Sequence, residues 1–104
     1  MTTFDDRENA FENKFAHDEE LRFRTEARRN KLLGLWAAGL MGKSGDDAAA
    51  YAKEVVASDF EEAGEEDVYR KVSSDLGAKA EEAVIRAKMA EMMIEAKRQI
   101  MNEV

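Results

Sequence analysis

Apolar residues recur at every third or fourth position through most of the chain, and this spacing is typical of amphipathic helices. Leu32, Trp36 and Leu40, for example, repeat at every fourth residue. Read in this way, the pattern predicts four helices, over residues 18–42, 45–63, 65–76 and 78–102. The third is much shorter than the first and the fourth.

Glycines mark the predicted ends of these helices. Gly42, Gly64 and Gly77 each follow the last apolar position of a periodic stretch, where glycine commonly terminates a helix. Ser44 reads as the N-cap of the second helix because its hydroxyl can accept a hydrogen bond from a free backbone N–H. The apolar stripes predict a core, and we expect the following residues to be largely buried: Leu32, Leu33, Trp36, Leu40, Val55, Val56, Phe60, Val68, Val72 and Val84.

The N-terminal segment, residues 1–17, has a different pattern. It is largely polar, and its apolar residues are mainly Phe4, Phe11 and Phe15. These three fall within about 60° of one another on a helical wheel. A helix of this length is marginal in water on its own. We therefore expect the segment to be disordered alone and helical against a partner. The alternative is that it docks on its own bundle as a fifth element.

Composition supports an all-α fold. The chain has 104 residues and no proline, and it is rich in good helix formers such as Ala, Glu, Lys, Arg, Leu and Met. Short connections between amphipathic helices predict a four-helix bundle over residues 18–104, preceded by a flexible N-terminal segment. The absence of cysteine excludes disulfides and thiolate metal sites and favours a cytosolic location.

No signal peptide is apparent at the N-terminus, which is acidic from Asp5 onward. The longest run without a charged residue has eleven residues, between Lys31 and Lys43, whereas a membrane-spanning helix needs about 20. These features predict a protein that does not insert into the membrane.

The net charge of −7 argues against nucleic-acid binding, which needs a basic field. The charges are also unevenly placed. Residues 44–69 carry nine acids against one base, and residues 22–31 carry five bases against one acid. One interpretation is that the two stretches neutralise each other inside the fold. The other is that the stripe of Arg24, Arg28 and Lys31 docks on an acidic surface of a target.

Catalytic chemistry is sparse in this sequence, and we predict that the protein is not an enzyme. His17 is the only histidine, so neither a zinc helix motif nor a di-iron bundle site can be assembled. We interpret it as a solvated residue ahead of the first helix rather than as a pH switch. Gly42-Lys43-Ser44 matches the end of a phosphate-binding loop, but the required earlier glycine is replaced by Ala37. No catalytic residue, metal ligand or required cofactor is predicted.

Three stretches of sequence carry a family resemblance. They are residues 5–12 (DDRENAFE), 14–23 (KFAHDEELRF) and 27–38 (ARRNKLLGLWAA). Together these three stretches resemble the zeta subunit family, the small inhibitor proteins of bacterial F1-type ATP synthases. The similarity covers most of the chain and is looser after residue 38, where residues 39–41 are less typical of the family.

The resemblance implies a four-helix bundle that regulates F1Fo-ATP synthase by inhibiting ATP hydrolysis. In this family the N-terminal segment becomes helical as it enters a catalytic interface between the α and β subunits of F1, near γ. The protein would then be cytoplasmic and peripheral to the membrane-bound enzyme. The resemblance also implies weak binding of ADP or ATP. The sequence does not indicate which residues would bind the nucleotide. The alternative is a helical adaptor with a different protein partner.

Carried over to this chain, the resemblance makes residues 1–17 the inhibitory segment. Its expected contact residues are Phe4, Asp5, Arg7, Phe11, Lys14 and Phe15. Arg24, Arg28 and Lys31 are the candidates for a secondary docking surface.

Overall fold

The computed structural model describes residues 19–59 and 65–103, and within these ranges the chain forms helices joined by short turns. The helices are α1 (Glu19–Leu40), α2 (Gly45–Ser58), α3 (Glu66–Leu76) and α4 (Glu82–Glu103), with a 3₁₀ turn (Gly77–Lys79) before α4. The described residues contain no strand. The predicted all-α four-helix bundle is therefore confirmed. The N-terminal segment lies outside the described residues, so its predicted flexibility stays a prediction.

Glycine ends two of the helices as the sequence predicts. Gly42 follows α1 with a φ of 79°, and Gly77 follows α3 with a φ of 55°. Residues with a Cβ rarely adopt such backbone conformations. Ser44 lies at the N-cap of α2 with extended backbone, but its side chain makes no capping hydrogen bond there.

Two predicted helix boundaries are wrong by several residues. α2 ends at Ser58 instead of at residue 63, because the Asp59 N–H bonds to Val56 O in a tightened last turn. α4 begins at Glu82 instead of at residue 78, because the chain forms the 3₁₀ turn and then extends at Ala80. Helix periodicity does not show where a few residues near an end leave the α conformation.

α1 is the central helix and packs against each of the other three. α4 runs antiparallel to it, since Arg28 contacts Gln99 near one end and Lys88 lies over the Trp36 ring further along. The buried core cluster comprises Leu33, Ala37, Ala38, Tyr51, Val55, Val68, Val72, Leu76, Ile85 and Met89. All four helices contribute to it, as the amphipathic pattern requires.

The predicted core is only partly correct. Leu33, Val55, Val68 and Val72 are fully buried, whereas Leu32, Trp36 and Val56 are half-buried. Leu40 is 42 % exposed and Val84 is 46 % exposed, so these two predictions are wrong. Leu40 is the last residue of α1, where the chain turns away. Val84 is one position from the buried face of α4, which follows Ile85, Met89, Ala96 and Ile100. Phe60 lies outside the described residues.

α1 and α2 approach each other closely at Gly34. A Cβ added to this glycine would lie 2.7 Å from the Cα of Ala52 and 3.2 Å from its Cβ. Only a residue without a Cβ fits at this separation. The periodic pattern of the sequence did not reveal this contact.

Candidate functional site

The residues expected to contact the enzyme lie outside the described residues. Phe4, Asp5, Arg7, Phe11, Lys14 and Phe15 all belong to residues 1–18, as does His17. The assignment of these residues to a contact surface therefore stays a prediction. The described part of the chain shows the second predicted surface, the basic stripe of α1.

Two arginines of this stripe connect α1 to the end of α4. Arg28 Nη2 lies 2.8 Å from Glu103 Oε1, and Arg28 Nη1 donates a 2.7 Å hydrogen bond to Gln99 Oε1. Arg24 Nη2 lies 3.2 Å from Glu103 Oε2. The shared carboxylate offsets the repulsion between two cations spaced by one helical turn. The acid that neutralises the stripe thus lies in α4, and not in the acidic region of residues 44–69.

Lys31, the third residue of the stripe, is exposed and makes no ion pair within the described ranges. It therefore differs from Arg24 and Arg28, which hold two helices together. Of the three predicted docking residues, Lys31 is the one whose charge is not used inside the described fold.

A buried polar cluster was missed by sequence reasoning. Arg29 is 3 % exposed, its Nε donates a 2.6 Å hydrogen bond to Asn30 Oδ1, and its Nη1 lies 3.0 Å from Glu65 Oε2. Glu65 immediately precedes α3, so this pair does join the basic stretch to the acidic one. A signal was present, since Arg29 is four residues after Thr25 and four before Leu33, both fully buried on the inner face of α1.

A second polar network fixes α3 against α2. The Tyr51 hydroxyl donates a 2.9 Å hydrogen bond to Asp75 Oδ2, and Lys71 Nζ lies 2.8 Å from the same oxygen. Burial, reinforced by the hydrogen bond to Asp75, raises the pKa of Tyr51 far above its usual range. Burial alone would raise the pKa of Asp75, but the hydrogen bonds from Lys71 and Tyr51 outweigh it and lower this pKa. The network is structural in character, because each charge has its partner inside the protein.

Arg86 performs a similar role between α4 and α3. Its guanidinium lies 2.8 Å from Glu66 Oε1 and 3.9 Å from the centroid of the Tyr69 ring. The hydrogen bond from Arg86 lowers the pKa of Glu66. Lys71 of α3 and Arg86 of α4 therefore both have their ion-pair partners within the bundle.

Two adjoining clefts lie between α1 and α2, with volumes of about 360 and 260 Å³, and Ile100 of α4 also lines the smaller one. They share Lys31 and Val56, and we call them together the α1–α2 groove. Its lining consists of Arg24, Ala27, Arg28, Lys31, Leu35, Ala49, Ala52, Lys53, Val56 and Ile100. Four cations and no carboxylate line this groove among the described residues, although the chain carries a net charge of −7.

Two further features are absent from the described residues. No group of three or more His, Cys, Asp or Glu side chains is placed to hold a metal ion. None of the described helices has both the length and the apolar character required to cross a lipid bilayer.

Comparisons with known proteins identify the same family as the sequence motifs. A family model described as ATPase inhibitor subunit zeta matches residues 1–99. A protein whose structure was determined in solution by NMR is 60 % identical and superimposes with a TM-score of 0.75. The alignment covers 81 % of this chain and 99 % of that one. A search of curated proteins found no significant match.

Proposed function

Because the chain belongs to the ATPase inhibitor subunit zeta family, we propose that it inhibits ATP hydrolysis by bacterial F1Fo-ATP synthase through its N-terminal segment. The observation that carries this proposal is the extent of the family match, which covers residues 1–99 and so includes the segment, the first three helices and most of α4. The partners would be the α, β and γ subunits of F1. The segment would enter an α/β catalytic interface near γ as a helix, while the bundle remains at the surface of the enzyme.

The phenylalanine stripe supports a segment that folds on binding. Burying one Phe side chain contributes about 1.5–3 kcal/mol, so Phe4, Phe11 and Phe15 together contribute roughly 5–9 kcal/mol. Ordering the backbone costs about 1–2 kcal/mol per residue, which exceeds this gain over the length of the segment. Helical hydrogen bonds and further contacts with the enzyme must supply the difference. Asp5, Arg7 and Lys14 are the polar residues we propose for those contacts.

The proposed location follows from the partner. A protein that inhibits F1 acts where F1 lies, on the cytoplasmic side of the membrane, and would be peripheral to the synthase. Weak ADP or ATP binding, which the family resemblance implies, stays a prediction without assigned residues.

A helical adaptor with a different partner is the competing proposal, since a bundle fold does not fix function. Adding the purified full-length chain to purified F1-ATPase separates the two. Inhibition of ATP hydrolysis supports the proposed function, and an unchanged hydrolysis rate with saturating protein contradicts it.

A pair of double variants tests the role of the segment. Replacing Phe11 and Phe15 by alanine removes two residues of the stripe, and the apparent inhibition constant should rise by roughly 100-fold or more. The matched control replaces Asn9 and Asn13 by alanine. These two residues have the same spacing as Phe11 and Phe15 but lie about 160° away from them on the helical wheel. The control should inhibit nearly as well as the wild type. Equal inhibition by F11A/F15A and the wild type would rule out the stripe as the anchor.

A further inference from the structure

We propose that the α1–α2 groove is a second docking site on the bundle, and that it receives an acidic amphipathic helix of the ATPase. This inference rests on the proposed function, because it takes the ATPase as the partner. It adds a surface that is separate in sequence from the N-terminal segment. Its function would be to hold the bundle on the enzyme.

Residues of α1 and α2 form the two walls of the groove. On α1, Arg24, Arg28, Lys31 and Leu35 recur at i, i+4, i+7 and i+11, so they lie along one side of the helix. On α2, Ala49, Lys53 and Val56 recur at i, i+4 and i+7. The α1 wall is about 16 Å long, which corresponds to three turns of a docked helix.

Apolar side chains line the groove together with the cations. Ala52 is buried, Val56 is half-buried, and Leu35 is 38 % exposed. Ala49 is exposed and carries only a methyl group, which leaves room for a larger side chain from a partner. An amphipathic helix can place its apolar side chains against these residues, at positions i, i+3, i+4 and i+7.

The charge of the groove selects an acidic partner. Lys31 and Lys53 lie on opposite walls, and within the described ranges neither makes an ion pair. Arg24 and Arg28 add positive potential, although Glu103 already pairs with them. A helix with acids on both flanks of its apolar stripe would meet one lysine on each side. Nucleic acid is a poor alternative, because the molecule as a whole is strongly acidic.

Charge reversal of Lys31 and Lys53, the two groove lysines without an ion pair to any described residue, tests the proposal. The full-length variant Lys31→Glu/Lys53→Glu is compared with Lys43→Glu/Lys79→Glu, which changes the net charge equally at two exposed lysines outside the groove. Inhibition of purified F1-ATPase is measured at low and high ionic strength. We expect K31E/K53E to raise the apparent inhibition constant about tenfold at low ionic strength, with a smaller effect at high ionic strength. The control should change it much less.

The outcomes separate this proposal from the proposed function. If the wild type inhibits and K31E/K53E inhibits equally at low ionic strength, the docking site is wrong and the proposed function stands. If the wild type does not inhibit at all, the proposed function fails, and the groove loses its partner with it. Circular dichroism and Trp36 fluorescence verify that each variant is folded. If K31E/K53E unfolds, the single variants Lys31→Glu and Lys53→Glu are compared with Lys43→Glu and Lys79→Glu in the same way.

A photo-crosslinking residue in place of Lys53 identifies what occupies the groove. Illumination of the full-length variant bound to F1-ATPase, followed by mass spectrometry, should yield an adduct with an acidic helical segment of an ATPase subunit. An adduct with a second copy of this chain, or with its own N-terminal segment, would overturn the proposal. So would the absence of any adduct with the enzyme under conditions in which the variant inhibits.

Discussion

Gly34 shows how much one residue controls the contact between α1 and α2. A methyl group there would lie 2.7 Å from a backbone atom of Ala52, so one helix would have to move. Overpacking of this kind costs about 1–3 kcal/mol. We therefore expect Gly34→Ala to lower the free energy of unfolding, although alanine is the better helix former.

Gly39 provides the matched control for this prediction. It lies in the same helix, and a Cβ added to it would meet no other atom within 4 Å. Gly39→Ala should therefore stabilise the protein by up to about 1 kcal/mol. Urea unfolding followed by Trp36 fluorescence measures both variants. A stabilising Gly34→Ala would contradict the close packing described here.

Tyr51 is the residue for which we predict a pH-dependent effect. Tyr51→Phe removes the hydrogen bond to Asp75 and should lower the free energy of unfolding by about 0.5–1 kcal/mol at neutral pH. The expected loss is this small because Asp75 is partly exposed to solvent. The pKa of Asp75 is lowered in the folded state, so its ionised form stabilises the protein above the unfolded pKa of about 3.9. That contribution is lost as the pH falls through the lower folded pKa.

The difference in stability between the wild type and Tyr51→Phe should therefore be constant near neutral pH and shrink below about pH 4. Chemical unfolding at a series of pH values measures it. Tyr69→Phe is the control, because no hydrogen bond of its hydroxyl is found within the described residues. A difference that grows toward acidic pH would show that the sign is wrong.

At the scale of the elements, the end of α4 is held on α1 by polar contacts as well as by its apolar face. Arg28 lies at the centre of these contacts, with Glu103 and Gln99 as its partners. Arg28→Glu should cost about 1 kcal/mol at low ionic strength and less at high ionic strength. Thermal unfolding at the two salt concentrations measures the effect.

Lys31→Glu is the natural comparison for Arg28→Glu, because Lys31 lies one turn further along α1 without a described ion pair. It should leave the stability nearly unchanged. Equal destabilisation by both variants would mean that the net charge of α1, and not the contact with α4, determines the effect. Neither interpretation of the stripe predicted this pairing, because the acid that neutralises Arg24 and Arg28 is Glu103 of α4 and does not belong to residues 44–69. Docking on a target stays a prediction for Arg24, Arg28 and Lys31.

At the scale of the whole molecule, the described core is formed by α1 and the three helices that pack against it. We therefore expect that deletion of residues 1–17 leaves helicity per residue and thermal stability nearly unchanged. We expect the free energy of unfolding to change by less than about 1 kcal/mol, which corresponds to a shift in Tm of less than about 4–8 °C for a domain of this size. Circular dichroism measures both quantities. A truncated protein that unfolds, or melts far lower, would favour the alternative in which the segment is a fifth element of the bundle.

The sequence by itself determined the fold class, the number of helices within residues 19–59 and 65–103, and the family. Periodic apolar residues without proline leave little alternative to amphipathic helices, and glycine stops them at Gly42 and Gly77 for a local steric reason. The three motif stretches within residues 5–38 identified the family that the comparisons show. All of these properties depend on residues close together in the chain.

Only the tertiary structure decided which of the periodic residues are buried and which charges are neutralised. Val84 and Ile85 are both apolar neighbours, and packing against the other helices selects Ile85 for the core. Similarly, Arg29 is buried against Glu65 while Lys31 remains exposed, two residues away. Burial and charge pairing depend on contacts between residues far apart in the chain, such as Arg28 with Glu103, and helical periodicity does not specify those contacts.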